Sequence, residues 1–183
     1  MEGGHTMDGR LDEVVPASVR QQVRAAEAAL GKTASAGLPA PVRMACAQRL
    51  VAVVSTLCGR LCESATPGAE NLLSAARCCG GAGAVLAGYL GEHLIEKYGS
   101  AARACDLPAV REGSLTLRWR ANDMDIAEVA AWLAGSVAKA DATLEEAAQC
   151  ATAPKKLRDA AAAAAEYSHQ AWAWLGGDSG GWP

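Results

Sequence analysis

Apolar residues recur along this chain at intervals of three and four, the spacing of one helix face. Val19, Val23, Ala26 and Leu30 form one such stripe. With Pro16 suited to a first turn, they predict a helix from Pro16 to Leu30. Gly31 is expected to end it and to leave GKTASAGLPAP as loop. Leu50, Val53, Val54, Leu57 and Leu61 predict a second helix from Val42 to Glu63, and Thr66-Pro67-Gly68 marks a break. A third helix starts near Ala69, carries Leu72, Leu73 and Ala76, and meets the double glycine Gly80-Gly81. A further helix is expected from Ala84 to Tyr98, stopped by Gly99, and another over about Leu107 to Arg120. Ile126, Val129, Ala130, Leu133 and Val137 then predict a largely buried helix over Asp125–Ala140, N-capped by Asp123 or Asp125. Thr143 with Glu146 reads as a capping box opening a short helix that Pro154 breaks. Lys155 to Trp174 is the last long helix, ending at Gly176-Gly177. No alternating run of β-branched and aromatic residues appears, so the expected class is all-α. Residues 1–12 lack any such pattern and are expected to be disordered, with residues 13–183 forming one helical domain.

Composition narrows the function classes. A chain of 183 residues is long enough to bury a core, and much of its hydrophobic half is alanine, the best helix former. The net charge is −3 with acids and bases mixed along the chain, so no basic stripe is available for a nucleic-acid backbone. The N-terminal MEGGHTMDGRLDEV is not a signal peptide. Gln48 and Arg49, or the glycines from Gly80 to Gly91, interrupt the best apolar runs before the roughly 18–20 residues a membrane span needs. Seven cysteines stand at positions 46, 58, 62, 78, 79, 105 and 150, an odd number with no Cys-x-x-Cys. They read as small buried hydrophobes rather than a disulfide frame or metal site. His5, His93 and His169 are isolated, and Gly80-Gly81-Ala82-Gly83 lacks the Lys-Ser/Thr of a phosphate loop. No catalytic residue, cofactor or metal site is expected. The chain reads as a binding module rather than an enzyme.

The end of the chain, Trp172-Ala173-Trp174-Leu175-Gly176-Gly177-Asp178-Ser179-Gly180-Gly181-Trp182-Pro183, stands apart. A long helix delivers Trp174, a Gly/Asp turn follows, and Gly180-Gly181-Trp182 closes it. Glycines permit a sharp turn, and two indoles can clamp it onto a bundle. This segment resembles the second homology motif of the Bcl-2 family of apoptosis regulators, with Trp174 and Trp182 one residue further apart than in the family pattern. Asp125–Ser136, with Val129-Ala130-Ala131-Trp132-Leu133-Ala134-Gly135-Ser136, resembles the family's central helix. Its Asn-Trp-Gly-Arg opening is replaced by Met124-Asp125-Ile126-Ala127, and Arg118 or Arg120 beside Trp119 could stand in for the missing Arg. Leu72, Leu73, Ala76, Arg77 and Gly80 resemble a degenerate third motif. The resemblance covers about residues 40–183.

The resemblance implies a Bcl-2-like bundle around a buried central helix. Its groove would take an amphipathic helix from a pro-apoptotic protein. By that resemblance the groove residues are Leu90, Leu94, Val110, Leu117, Arg118, Arg120, Val129, Trp132 and Leu133. Trp174, Gly180, Gly181 and Trp182 form the clamp. The implied role is to suppress death of an infected cell from its cytoplasm, in association with mitochondria if a membrane anchor follows Pro183. Richness in Ala, Gly, Arg and Val with scarcity of Phe, Ile, Asn and Lys suits a GC-rich genome, and with the degenerate motifs suggests a poxvirus homologue. Two alternatives stay open. One is a viral bundle of the same fold that blocks innate signalling towards NF-κB by protein binding. The other is an unrelated bacterial helical bundle. A homodimer through an exposed face is compatible with each.

Overall fold

The computed structural model describes residues 15, 17–62, 69–104 and 123–177; the side chains of 18, 62, 69, 92–104 and 123–126 fall outside that description. The described residues form five α-helices and no strand: α1 (Ala17–Ser35), α2 (Ala40–Cys62), α3 (Ala69–Ala104), α4 (Asp123–Ala148) and α5 (Lys155–Trp174). The fold is all-α.

Four of these helices close a ring. α2 packs on α3, α3 on α5, α5 on α4, and α4 on α2, while α1 lies across α2 and touches α4. Side chains fix the directions of the neighbours. Ser55 Oγ donates to the Ala76 carbonyl at 2.9 Å and Gln48 Nε2 to that of Gly83 at 3.4 Å, so α2 and α3 run antiparallel. Gly81 lies under Tyr167 and Cys78 beside Gln170, which makes α3 and α5 antiparallel too. Arg43 near the start of α2 forks onto Glu146 near the end of α4, with contacts of 2.9 and 2.7 Å. On the outside, Glu27 of α1 accepts from Ser136 at 2.5 Å and from Lys139 at 2.8 Å, both on α4.

The core lies along the axis of the ring. Met44, Leu50, Leu57, Leu61, Leu72, Leu86, Leu133, Leu144 and Leu157 are fully buried there. Each such side chain is worth about 1.5–3 kcal/mol of transfer free energy. Alanine sets the spacing: α5 buries Ala161, Ala164, Ala165 and Ala171, which let its neighbours approach closely. α2 touches all four other helices and buries residues around most of its circumference, from Val42 to Leu61. It is long and apolar enough to cross a membrane by length and composition, which the sequence reading did not expect, and its apolar side chains are spent on the core. The helix expected at the centre, 125–140, is α4. It buries one face through Val129, Leu133, Val137 and Ala140 and exposes Ala131, Gly135, Ala138 and Lys139. Among the described residues α2, not α4, comes nearest to a central helix.

Several helix limits differ from the sequence expectation, each for a local reason. α1 runs through Gly31 to Ser35. It stops at Gly37, whose φ of 62° lets Leu38 N–H reach the Thr33 carbonyl and Gly37 N–H that of Ala34, a left-handed C-terminal cap. α3 passes through Gly80-Gly81 because Gly81 is a contact, not a stop: a Cβ there would meet the Tyr167 ring at 2.8 Å. The helix expected from Ala84 to Tyr98 is thus part of α3, which kinks at Gly91 (φ 33°, ψ −141°) and continues through Gly99 to Ala104. α4 runs on to Ala148, so Thr143 opens no helix; its hydroxyl donates back to the Lys139 carbonyl at 3.2 Å. α5 starts and ends where the sequence placed it. The expected disordered segment 1–12, the break at 66–68 and the helix over 107–120 lie outside the described residues.

Candidate functional site

Two faces of the bundle carry the residue types that bind helices. The first is α4, where the sequence placed part of a groove. Val129 and Leu133 are buried at 1% and 0% exposure. Trp132 is half-buried and packs on the core beside them. Leu90 is also buried, but it belongs to α3, and α2 and α5 stand between α3 and α4 in the ring. Val129, Trp132 and Leu133 therefore share one helix, and Leu90 is not brought into a common cleft with them. Leu94 lies on the described backbone of α3, its side chain outside the description; Val110, Leu117, Arg118 and Arg120 lie wholly outside it.

The terminal motif is partly described. Trp174 is 45% exposed. The indole that closes on the turn is Trp172. Gly176 takes φ 89°, Gly177 N–H donates to the Trp172 carbonyl at 2.9 Å, and Gly176 N–H donates to that of Ala173 at 3.0 Å. The Trp172 ring lies so close to Gly177 that a Cβ there could not fit. Gly176-Gly177 is a left-handed helix cap with its usual apolar contact back onto the last turn. Gly180, Gly181 and Trp182 lie outside the described residues.

The second face is formed by α3 and α5. The large hydrophobic side chains that are exposed among the described residues are Leu73, Tyr167 and Trp174 at 38%, 41% and 45%. All three belong to this antiparallel pair. On α3 the exposed stripe reads Leu73, Arg77, Gly80, Ala84; on α5 it reads Ala163, Tyr167, Gln170, Trp174. Both keep helical spacing. The sequence pattern places Leu73 on a helix and in a degenerate motif and does not single out Tyr167. A signal was present in Tyr167 and Trp174, seven residues and two turns apart on one predicted helix.

Polar features cluster between α4 and α5. A cleft of about 520 Å³ there is lined by Glu145, Gln149, Glu166, His169 and Gln170 with small alanines. Asp141 Oδ2 is 3.9 Å from His169 Nδ1, and the His169 ring stacks on Trp172 at 5.3 Å. Burial of the Asp141 carboxyl, with the Glu145 carboxylate adding to it and His169 opposing, pushes its pKa above the ordinary range. Among the described residues no three His, Cys, Asp or Glu side chains converge as a metal site. Cys46, Cys58 and Cys79 are buried, and burial pushes the Cys79 thiol up to about 12. Cys150 is half-buried, and the Thr152 hydroxyl holds its thiol below the ordinary range.

No family model matches the chain, and neither a curated protein nor a solved structure does.

Proposed function

We propose that this chain is a Bcl-2-like protein-binding bundle that sequesters the amphipathic helix of a pro-apoptotic partner and so suppresses apoptosis. The observation that carries this reading is on α4. Trp132 presents a half-buried indole directly beside the buried pair Val129 and Leu133, an apolar ledge with one aromatic anchor. Aromatic side chains in such positions dominate helix capture. The all-helical bundle is compatible with that reading.

A second reading has its own support. Leu90, Val129 and Leu133 are already buried in the core, and Leu90 lies on α3 while the other two lie on α4. That favours a bundle of the same type without a working groove, acting on an innate-signalling protein towards NF-κB through another face.

One titration separates the two. Purified protein is mixed with fluorescently labelled pro-apoptotic helices. The first reading expects at least one of them to bind below about 1 μM, and Trp132→Ala to abolish that binding while the circular dichroism of the bundle stays unchanged. Absence of binding across the panel removes the first reading and leaves the second.

A further inference from the structure

Among the described helices, α1 alone stands outside the ring, and it is held in a different way from the others. The ring of α2, α3, α5 and α4 closes without it. None of the largest fully buried side chains among the described residues comes from α1. What α1 buries, as it lies on α2, is a stripe of smaller contacts: Val19, Val23, Ala26 and Leu30. Its hold on α4 is polar. Glu27 accepts from Ser136 Oγ at 2.5 Å and from Lys139 Nζ at 2.8 Å. Ser136 is buried, Glu27 is largely covered, and Lys139 reaches in from the surface. Trp132 stands four residues before Ser136, on the same face of α4. α1 therefore bridges α2 and the edge of the Trp132 ledge. Four residues join it to α2. Among them Gly37, at φ 62° with open space where a Cβ would stand, is a ready pivot.

We propose that α1 is a releasable strap, and that the α2–α4 groove beneath it takes a partner's amphipathic helix when α1 swings out about Gly37. This rests on the helix-capture reading above and specifies the helix that is captured. α1 itself shows what the groove accepts. Val19, Val23, Ala26 and Leu30 are apolar anchors at i, i+4, i+7 and i+11, and Glu27 at i+8 supplies a carboxylate. Release leaves the Ser136 hydroxyl and the Lys139 ammonium unpaired next to Trp132. The incoming helix is therefore one with an acid in the register of Glu27, and one with a basic residue there is repelled by Lys139. The closed strap is autoinhibitory: it reduces apparent affinity by the fraction of molecules in which the groove is open.

Hydrogen exchange of the full chain tests the strap with no partner present. Amides of Val19–Ser35 are expected to exchange together, at least about tenfold faster than those of the buried turns of α2, α4 and α5, through an opening short of global unfolding. Glu27→Gln is expected to speed α1 by about a further fivefold and to leave α3 and α5 unchanged. The groove is then probed with a synthetic peptide of residues 15–35, titrated into the Glu27→Gln chain up to about 1 mM, the scale on which a short tether competes. Binding is expected to raise exchange along the chain's own α1. A peptide carrying Glu27→Lys should bind at least about tenfold more weakly. Circular dichroism confirms that the variant chain folds; should it not, the wild-type exchange pattern alone decides. α1 amides that exchange no faster than the ring helices overturn the strap. A peptide that leaves α1 exchange unchanged, or a Glu27→Lys peptide that binds as well as its parent, overturns the groove. Should every pro-apoptotic helix fail to bind while the α1 results hold, the apoptotic reading falls and the strap stands.

Discussion

On α4, Val129, Trp132 and Leu133 are drawn into or onto the core; on α3 and α5, Leu73, Tyr167 and Trp174 are left at the surface, although both sets stand at helical spacing. The difference comes from neighbours. α4 sits between α2 and α5 and receives α1 through Ser136, Lys139 and Glu27, so its apolar stripe is covered from several sides. α3 and α5 use one stripe each on the ring and one where they meet, and a further stripe on each has nothing described above it. A helical period identifies stripes, but the number of helices packed against each stripe decides which become core. An apolar residue that stays outside after that is the better candidate for contact with another protein.

The largest expected effect separates the two faces by stability. Leu133→Ala removes a fully buried side chain and is expected to cost about 3 kcal/mol in denaturant unfolding. Leu73→Ala is expected to change stability by less than about 0.5 kcal/mol, as for an exposed site. Equal losses at both positions would mean that Leu73 is core after all and that the faces do not differ.

A smaller effect tests the turn that closes α5. Gly176→Ala places a Cβ in the left-handed region at φ 89° and is expected to cost about 1 kcal/mol. Gly31→Ala, at an ordinary helical position, is expected to stabilise slightly instead. A Gly176→Ala protein with unchanged stability would show that the cap is not needed to hold Trp172.

The smallest effect is on pH dependence at the α4–α5 cleft. The Asp141 carboxyl has a folded-state pKa raised by burial, so its ionisation opposes folding, and its contribution falls as pH rises through the window above the ordinary aspartate range. Glu146, lowered by its hydrogen bonds to Arg43, acts in the opposite sense and favours the fold above the ordinary glutamate range. Asp141→Asn is therefore expected to raise the thermal midpoint modestly at neutral pH, and the gain should disappear on acidification. A gain that persists in acid would point to a cause other than the carboxylate charge.

Much of this architecture was legible in the sequence because alanine-rich apolar periods leave few alternatives to helix. α2 and α5 fall within about two residues of their expected limits, and Pro154 sets the start of α5. The misplacements arise where one residue type has two physical uses. Glycine stops α1 at Gly37, where the backbone is left-handed, and does not stop it at Gly31. At Gly81 it provides room for Tyr167. Thr143 satisfies its hydroxyl within a continuing helix instead of capping a new one. The site was harder to read than the fold. Val129 and Leu133 were legible as an apolar stripe, but their burial depends on α1, α2 and α5, which lie far away in sequence. Trp174 and Trp172 differ by two positions, close to opposite sides of α5, and only the packing of the ring decides which indole turns inward.

The difference between the two faces is tested most directly by hydroxyl-radical footprinting of the full chain. Leu73, Tyr167 and Trp174 are expected to be oxidised readily, and Val129 and Leu133 to be protected. Protection of Leu73, Tyr167 and Trp174, or ready oxidation of Val129 and Leu133, would contradict the difference between the two faces.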